Sequence, residues 1–322
     1  MPPTPQASAT RRIAYPRELA LDPDRFHEPR RPDCPWCGSR RLRTRLCTPD
    51  LLQRKPGTFV LDVCEDCGHA FQNPRLTTEG LAFYHRDFPH ETLPLRILRT
   101  RAGRGRHLAV ARAMLPYGEP ESWLDVGTGY GRFPAAAREV HPYTAFDGTD
   151  PSARVERARA LGRIEEAHRG RLPGLVERLR ARYDVVSMLH HLEHSPDPRE
   201  ELRAALAVLR SGGHLLVEVP DPDCAFGALL GKWWLPYGQP RHLHLVPLRN
   251  LLGELDGLGC TVVSVDRRAP HVPYDLTGAV ALRLAGRGFA PVLAVPFALD
   301  RALAPLLRRT RFSNSYRVLA RR

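Results

Sequence analysis

Two pairs of cysteines near the N-terminus have the spacing of a metal site. Cys34 and Cys37 belong to one C-x-x-C-G unit and Cys64 and Cys67 to another, with 26 residues between the pairs. Thiolates at this spacing, each pair followed by a glycine that permits a left-handed turn, are typical of zinc knuckles. Four thiolates complete the coordination of Zn²⁺, so the sequence predicts a structural zinc ribbon with no open catalytic position.

A second cluster combines an acid with alternating glycines. In residues 122–131 (SWLDVGTGYG), Asp125 precedes Gly127, Gly129 and Gly131 at the end of an apolar run. Glycines let a bulky ligand approach the backbone, and nicotinamide and flavin enzymes use similar loops. A carboxylate two residues before the first glycine, however, would repel a pyrophosphate. It suits a ligand with an ammonium group.

The elements that would position this loop follow in the order expected of an open α/β sheet. Residues 143–150 (YTAFDGTD) indicate a second strand ending at Asp150, before Pro151 starts a helix. Residues 183–188 (YDVVSM) indicate a fourth strand, followed by Leu189 and HHLEH at the carboxyl end, where ligands bind in such sheets. Residues 209–213 (LRSGG) indicate a helix end and a glycine turn before the next strand.

Together these motifs, over roughly residues 118–268, resemble class I S-adenosylmethionine-dependent methyltransferases. The resemblance implies an α/β, Rossmann-like parallel sheet with an antiparallel last strand, for which residues 313–320 are the candidate. It implies that the methionine tail is held by Asp125, Gly127, Gly129 and Gly131, and that Asp150 accepts hydrogen bonds from the ribose hydroxyls. Pro151 and Leu189 are assigned to the same cofactor site. The family's usual acid after the third strand is absent from residues 168–175, which leaves adenine recognition to backbone groups.

The passage after the ribbon carries a further resemblance. Residues 71–75 (FQNPR) and 79–85 (EGLAFYH) are similar to zinc-ribbon methyltransferases of bacterial secondary metabolism, of which deoxysugar C-methyltransferases are one branch. In that family this segment covers the cofactor, and Tyr84 and Phe88 are the matching aromatics. Simple helix packing is the alternative. The chain is too short for the second α/β domain of the sugar branch.

Methyl transfer to a hydroxyl, amine or acidic carbon requires removal of a proton, for which histidine is the natural base near neutral pH. The candidates fall in three groups: His190, His191 and His194 after the fourth strand; His242 and His244 in residues 239–244 (QPRHLH); and His85 and His90 before the sheet. His194 is preferred because HLEH resembles the family's motif after that strand.

Glu193 opens a second interpretation of the same segment. His190, Glu193 and His194 have the spacing of E-x-x-E-H, a metal-binding motif in ubiquinone-pathway O-methyltransferases and small-RNA methyltransferases. Here His190 replaces the first acid. Two histidines and a carboxylate can hold a divalent ion, whereas metal-free relatives use a similar glutamate to brace the loop. Both alternatives remain open.

Composition limits the partners. The net charge is +13 over 322 residues, but lysine occurs only at Lys55 and Lys232, and the arginines are scattered among glutamates. A solvated surface accounts for this pattern better than nucleic-acid binding. The first residues lack the apolar core of a secretion signal, and the apolar stretch at 288–299 is shorter than the about 20 residues that span a bilayer. We expect a cytoplasmic monomer or homodimer without a membrane span, and peripheral membrane contact remains open.

The predicted organisation has four parts: a flexible arm (1–30), the zinc ribbon (31–75), a helical connector that covers the cofactor (76–116, with its main helix at 96–115), and the Rossmann-like domain (117–322) with a helical insert at about 270–312. Cys47, Cys224 and Cys260 are expected to be buried apolar groups.

The sequence predicts an S-adenosylmethionine-dependent methyltransferase that acts on a small molecule or a sugar- or lipid-linked intermediate of bacterial secondary or envelope metabolism. The alternatives are a metal-assisted O-methyltransferase and an RNA- or partner-binding module with a vestigial sheet. A nicotinamide oxidoreductase is disfavoured by the acid at Asp125.

Overall fold

The computed structural model describes Tyr15 and residues 24–86, 101–284 and 291–322. Most of the predicted arm, Phe88, His90 and the start of the predicted helix at 96–115 lie outside these residues. The chain forms two compact units. Unit 1 comprises residues 1–97, 221–247 and 272–314, and unit 2 comprises residues 98–220, 248–271 and 315–322.

Strands and helices alternate through most of the described chain. The strands are β1 (Leu42–Pro49), β2 (Thr58–Cys64), β3 (Ala70–Gln72), β4 (Ser122–Val126), β5 (Ala145–Asp150), β6 (Ala167–Arg169), β7 (Tyr183–Leu189), β8 (Leu209–Pro220), β9 (His244–Leu245), β10 (Thr261–Asp266) and β11 (Ser315–Arg321). The α-helices are α1 (Thr78–His85), α2 (Arg101–Arg112), α3 (Arg132–Ala137), α4 (Arg154–Ala160), α5 (Val176–Leu179), α6 (Pro198–Val208), α7 (Ala225–Leu230), α8 (Leu248–Gly257), α9 (Asp275–Leu284) and α10 (Ala294–Leu307).

Unit 2 is built on a seven-stranded sheet with the order β10-β11-β8-β7-β4-β5-β6. Strands β8, β7, β4, β5 and β6 are parallel, and β11 runs antiparallel to β8 and β10. This confirms the predicted Rossmann-like α/β fold with an antiparallel last strand. Because β4, β5 and β7 are parallel neighbours, the residues that follow them meet at one edge of the sheet.

Packing in the core of unit 2 determines which side chains of β4 point to the same face of the sheet. Trp123 is buried and packs with Phe133 and Phe146. Side chains two apart in a strand share a face, so Trp123 and Asp125 point the same way. In the register of the sheet, Asp125 lies opposite Ser187 of β7.

Unit 1 contains a four-stranded sheet with the order β1-β2-β3-β9. Its fourth strand, β9, comes from the QPRHLH passage, since Phe71 pairs with His244 and Ala70 with Leu245. The helical insert is tied to the same unit through Asp275, which accepts hydrogen bonds from Trp234 Nε1 (2.7 Å) and Asn314 Nδ2 (2.6 Å). The ribbon unit is therefore assembled from three separate stretches of sequence.

The isolated cysteines divide into two groups. Cys224 and Cys260 are buried, as expected, but Cys47 is exposed, so that expectation was wrong. Cys47 lies on β1, an edge strand, opposite Val60 of β2. Its side chain takes the solvent face of the strand. Every helix in the described residues is too short or too polar to traverse a membrane.

Candidate functional site

The four cysteines of the two C-x-x-C-G units converge in unit 1. All four sulfur atoms lie within 4.8 Å of one another. The Sγ atoms of Cys34 and Cys67 are 3.6 Å apart, and those of Cys37 and Cys64 are 3.5 Å apart. A tetrahedral Zn²⁺ with Zn–S bonds of about 2.3 Å places its sulfurs about 3.8 Å apart. The cluster therefore fits a small zinc ribbon.

The backbone of both cysteine units is folded in the same way. Gly38 N donates to Cys34 O, and Gly68 N donates to Cys64 O, each at 2.9 Å. Both glycines have a positive φ, 75° and 73°, which explains why glycine follows each pair. Repetition of this geometry at two places in the sequence is expected of paired zinc knuckles.

The Asp125 carboxylate in unit 2 is held by a relay of buried hydrogen bonds. Trp123 Nε1 donates to Ser187 Oγ (2.9 Å), and Ser187 Oγ donates to Asp125 Oδ1 (2.7 Å). Asp125 is only 4% exposed. Burial raises its pKa to about 6, and the hydrogen bond from Ser187 opposes the shift. A carboxylate in this position gains from any cation that approaches it.

The three glycines after Asp125 face different neighbours. All have a positive φ, between 55° and 73°. A Cβ on Gly127 would lie 2.5 Å from His191 Nδ1, and a Cβ on Gly131 would lie 3.0 Å from Ala158. A Cβ on Gly129 would meet only a carboxylate oxygen 3.9 Å away. Gly129 thus leaves room for a ligand, while Gly127 and Gly131 allow close packing within unit 2.

Asp150 connects this loop to the end of β5. Its Oδ2 accepts from Gly129 N (3.1 Å) and its Oδ1 accepts from Ser152 N (2.8 Å), while Pro151 forms the exposed bend between them. Asp150 is 4% exposed. The structure thus brings Asp150 to the glycine loop, as the sequence order suggests, and its contact with a ribose stays a prediction.

His190 follows Leu189 in a turn that is held by buried charges. Its Nδ1 lies 3.1 Å from Glu193 Oε1 and its Nε2 lies 3.3 Å from Glu218 Oε1. Burial lowers the pKa of His190, but these two carboxylates raise it by more, so the pKa lies above its ordinary value. Both ring nitrogens therefore face acids. The φ of His190 is +53°, a conformation that costs a non-glycine residue about 1 kcal/mol.

Glu218 is the centre of this charge cluster. On the neighbouring strand, Arg317 Nε and Nη2 donate to Glu218 Oε2 at 3.0 and 2.6 Å, and Arg106 Nε lies 3.5 Å from Oε1. Burial raises the pKa of Glu218, but His190 and the two guanidinium groups hold it well below its usual range. The sequence reasoning missed both Glu218 and Arg317. The sequence did contain a signal for this pair. Glu218 interrupts the apolar run LLVEV, and Arg317 interrupts the apolar run YRVLA.

His191 is bound in a similar way on the other side of the turn. Its Nε2 lies 3.4 Å from Glu201 Oε2, and Arg171 Nη2 lies 3.1 Å from Glu201 Oε1. Burial lowers the pKa of His191, but Glu201 raises it by more. Since its Nδ1 is directed towards Gly127, His191 packs against the glycine loop.

The other candidate residues divide between the units. His194 is half-buried at the end of the 3-10 turn Leu192–His194 in unit 2. In unit 1, His242 Nδ1 lies 2.8 Å from Pro236 O, and His244 Nδ1 lies 3.0 Å from His69 Nε2. Tyr84 is fully buried in unit 1 and its hydroxyl donates to Pro56 O (2.6 Å). The assignment of Tyr84 to the cofactor stays a prediction, as does that of Leu189.

Comparison with known proteins assigns the chain to a family. A family model described as a methyltransferase domain matches residues 97–265, which is more than half of the chain. The chain belongs to this methyltransferase domain family.

Curated relatives of this chain include ubiquinone biosynthesis O-methyltransferases. The one from Idiomarina loihiensis is 28% identical over 154 residues, or 44% of this chain and 63% of the relative. The one from Pectobacterium carotovorum subsp. carotovorum is 36% identical over 134 residues, which cover 38% of this chain and 53% of the relative. The chain thus spans less than two thirds of the length of these relatives.

A solved structure shares the fold. In the complex of the Haloferax volcanii Trm112 methyltransferase activator with a methyltransferase, one chain is 18% identical to the chain described here. It has a TM-score of 0.50, and the match covers 72% of this chain and 95% of that one. At this identity the likeness describes the fold alone.

The described residues also fit the cofactor of the methyltransferase family. Its amino-acid tail carries an ammonium group, which complements the buried Asp125 carboxylate, and the space beside Gly129 admits a ligand.

Replacing Cys67 by Ser should abolish zinc binding, because a small ribbon cannot hold its metal or bury enough surface with three thiolates. We expect about one zinc per wild-type chain and much less in Cys67→Ser, with unit 2 still folded. The exposed Cys47 gives a matched control in the same sheet, and Cys47→Ser should keep its zinc. The test is to measure the zinc content of the wild type and both variants after purification without chelator. Wild-type protein without zinc would contradict the ribbon.

Replacing Arg317 by Met should lower the free energy of unfolding by about 3 kcal/mol, since Glu218 would lose its principal buried partner. Arg210→Met is the control, because Arg210 forms an exposed pair with Asp184. It should change stability by less than about 1 kcal/mol. Chemical denaturation of both variants measures the difference, and equal effects would mean that the buried cluster contributes no more than a surface pair.

Proposed function

We propose that this methyltransferase transfers a methyl group to an oxygen of a small-molecule or carrier-linked acceptor, and that a histidine of unit 2 takes the acceptor's proton. The observation that carries the proposal is the buried Asp125 carboxylate, fixed by Ser187 at the mouth of the glycine loop. An oxygen acceptor is favoured by the relatives, which are named as O-methyltransferases. Sugar- or lipid-linked intermediates of bacterial secondary or envelope metabolism are the acceptors we favour.

Asp125 would orient the cofactor through its ammonium group. When bound, S-adenosylmethionine supplies an activated methyl group on a sulfonium, so the protein mainly has to align the acceptor for in-line displacement. The Trp123–Ser187–Asp125 relay holds the carboxylate before a ligand arrives. A fixed carboxylate needs no reorganisation on binding. Asp150 and Gly129, which are already hydrogen bonded to each other, would form the adjoining part of the same cofactor site.

His194 is the base that we favour. It lies in the turn after β7, the strand that neighbours β4 in the sheet. His190 and His191 belong to the same turn, but their carboxylate neighbours raise their pKa values. Ring nitrogens of both histidines already contact buried carboxylates, those of Glu193 and Glu218 for His190 and that of Glu201 for His191. These two histidines would instead position the turn.

The metal-assisted alternative receives less support from the geometry. A divalent ion bound by His190, Glu193 and His194 would require a free lone pair on His190. Both His190 nitrogens instead face carboxylate oxygens, those of Glu193 and Glu218. An ion would have to displace one of these contacts. We therefore propose that Glu193 braces the turn through His190.

The zinc of the ribbon would be structural. Four thiolates fill a tetrahedral coordination sphere and leave no position for substrate. Binding of RNA or a protein partner by the ribbon remains the alternative for unit 1. It receives no specific support from the described residues.

Asp125→Ala should weaken binding of S-adenosylmethionine by about 2–4 kcal/mol, because the ligand's ammonium group would lose its buried partner. Asp125→Asn preserves the shape and removes the charge, so it should bind nearly as weakly. Calorimetry measures the affinities, and circular dichroism checks the fold. Undiminished affinity in both folded variants would contradict the proposed site. Titration of the wild type with NADH or RNA should give no comparable binding.

His194→Ala should reduce turnover by about 10²- to 10⁴-fold while the affinity for S-adenosylmethionine barely changes, since a base acts only in the chemical step. His244→Ala is the comparison, because His244 is bound to His69 in unit 1. Single-turnover kinetics with a phenolic or sugar-linked acceptor measure the effect. If His194→Ala is active and His244→Ala is inactive, the base belongs to the QPRHLH passage and the assignment of His194 is wrong. Loss of activity on chelation, restored by Mg²⁺ while the ribbon zinc stays bound, would favour the metal-assisted alternative.

A further inference from the structure

Helix α10 in unit 1 has an apolar face that is exposed to solvent. Val295, Leu299 and Leu306 are 68%, 48% and 71% exposed, and Val292, just before the helix, is 47% exposed. Residues three, four and seven apart lie on one side of a helix. These side chains therefore form a continuous aliphatic stripe, which we call the α10 stripe. Large aliphatic side chains grouped in this way are unusual on a free surface.

The charges around the α10 stripe are one-sided. The helix contains one acid, Asp300, which is only 5% exposed. Its carboxylate accepts from Leu276 N (3.1 Å), Thr277 N (2.8 Å) and Thr277 Oγ1 (2.7 Å), so it is directed towards α9. The exposed surface of α10 therefore carries no carboxylate.

The positive charges nearest the stripe lie at the C-terminal end of α10, whereas Arg301 lies on another side of the helix. Arg301 is exposed on the helix, and Arg308, Arg309 and Arg311 are exposed immediately after it. Arg311 packs on Phe312, with its guanidinium carbon 5.5 Å from the ring centroid. The result is an amphipathic surface with an aliphatic stripe and a basic end.

We propose that the α10 stripe docks on the surface of a bilayer that contains anionic phospholipids. Helices that lie in a membrane interface combine an apolar face with basic residues beside it. The aliphatic side chains would enter the acyl boundary, and the guanidinium groups would bind lipid phosphates, for which their planar donor geometry is suited. The site lies wholly within unit 1 and its docking does not depend on the proposed methyl transfer.

Two other occupants are less compatible with the same surface. A second copy of this chain would bring together two molecules that each carry a net charge of +13. Like charges at such an interface oppose association. A folded protein partner is expected to meet aromatic anchors or a pocket, but the stripe is aliphatic and Phe297 is stacked on Tyr274. A fluid bilayer requires neither self-complementary charge nor a fixed shape.

Co-sedimentation with vesicles tests the proposal. The full chain should sediment with vesicles made of equal parts phosphatidylcholine and phosphatidylglycerol, and much less with phosphatidylcholine alone. Leu306→Asn should weaken the binding by about tenfold or more, because it removes a large side chain from the inserted stripe. The control is Leu161→Asn, at an exposed leucine of unit 2. It should bind like the wild type.

A charge-matched pair of variants separates a local site from general attraction. Arg308→Gln/Arg309→Gln should weaken binding by about 25-fold. Arg157→Gln/Arg159→Gln on α4 removes the same two charges elsewhere and should have little effect. Equal losses of vesicle binding in both double variants would overturn the proposal. So would a wild-type protein that does not bind anionic vesicles. A wild-type dimer that Leu306→Asn converts to monomer, seen by analytical ultracentrifugation, would show that the stripe is an interface between copies.

Discussion

The interior of unit 2 holds one carboxyl group in a fixed direction. Asp125 is buried at the end of β4, where burial disfavours the ionised form. The parallel pairing of β4 and β7 places Ser187 beside it, and the indole of Trp123 orients Ser187 in turn. The core that anchors Trp123 therefore also fixes the direction of the carboxylate. Packing of the core and the orientation of Asp125, the residue proposed to bind the cofactor, are coupled through Trp123.

The turn after β7 uses charge for a different purpose. His190 adopts a backbone conformation that is unfavourable for a residue with a side chain, and the structure compensates by placing its ring between Glu193 and Glu218. Arg317 of the antiparallel β11 neutralises Glu218 from the neighbouring strand. The last strand of the sheet thus supports a turn that is distant in sequence. This explains how a polar segment rich in histidine can follow a buried strand without distorting it.

Local patterns made the main parts of the fold predictable. The D-x-G-x-G-x-G loop and the two C-x-x-C-G units each lie within a few residues, and backbone conformation determines which residue types fit. The parallel sheet with an antiparallel last strand followed from the family resemblance. The structure then brings Asp125, Asp150 and the glycine loop together in unit 2, and the four cysteines together in unit 1.

The unpredicted features all depend on contacts between distant residues. Ser187, Glu201, Glu218 and Arg317 acquire their importance from the partners that the sheet places beside them. The QPRHLH passage lies in sequence between β8 and β10 of unit 2, yet its His244 pairs with β3 of the ribbon sheet. Cys47 was assigned to the core from its residue type, although its strand lies at a sheet edge. Neither composition nor spacing reveals such pairings.

The most direct measurement of the central claim is the proton balance of cofactor binding. If the ammonium group of S-adenosylmethionine pairs with Asp125, a carboxyl with a pKa of about 6 must ionise on binding. Calorimetry at about pH 6 in two buffers of different ionisation enthalpy should then show release of about half a proton. The net release should vanish near pH 7, where the Asp125 carboxyl is already ionised, and should turn into proton uptake near pH 8, where the amino group of the free ligand loses its proton. Binding without proton release at about pH 6 would show that the ammonium group does not pair with Asp125.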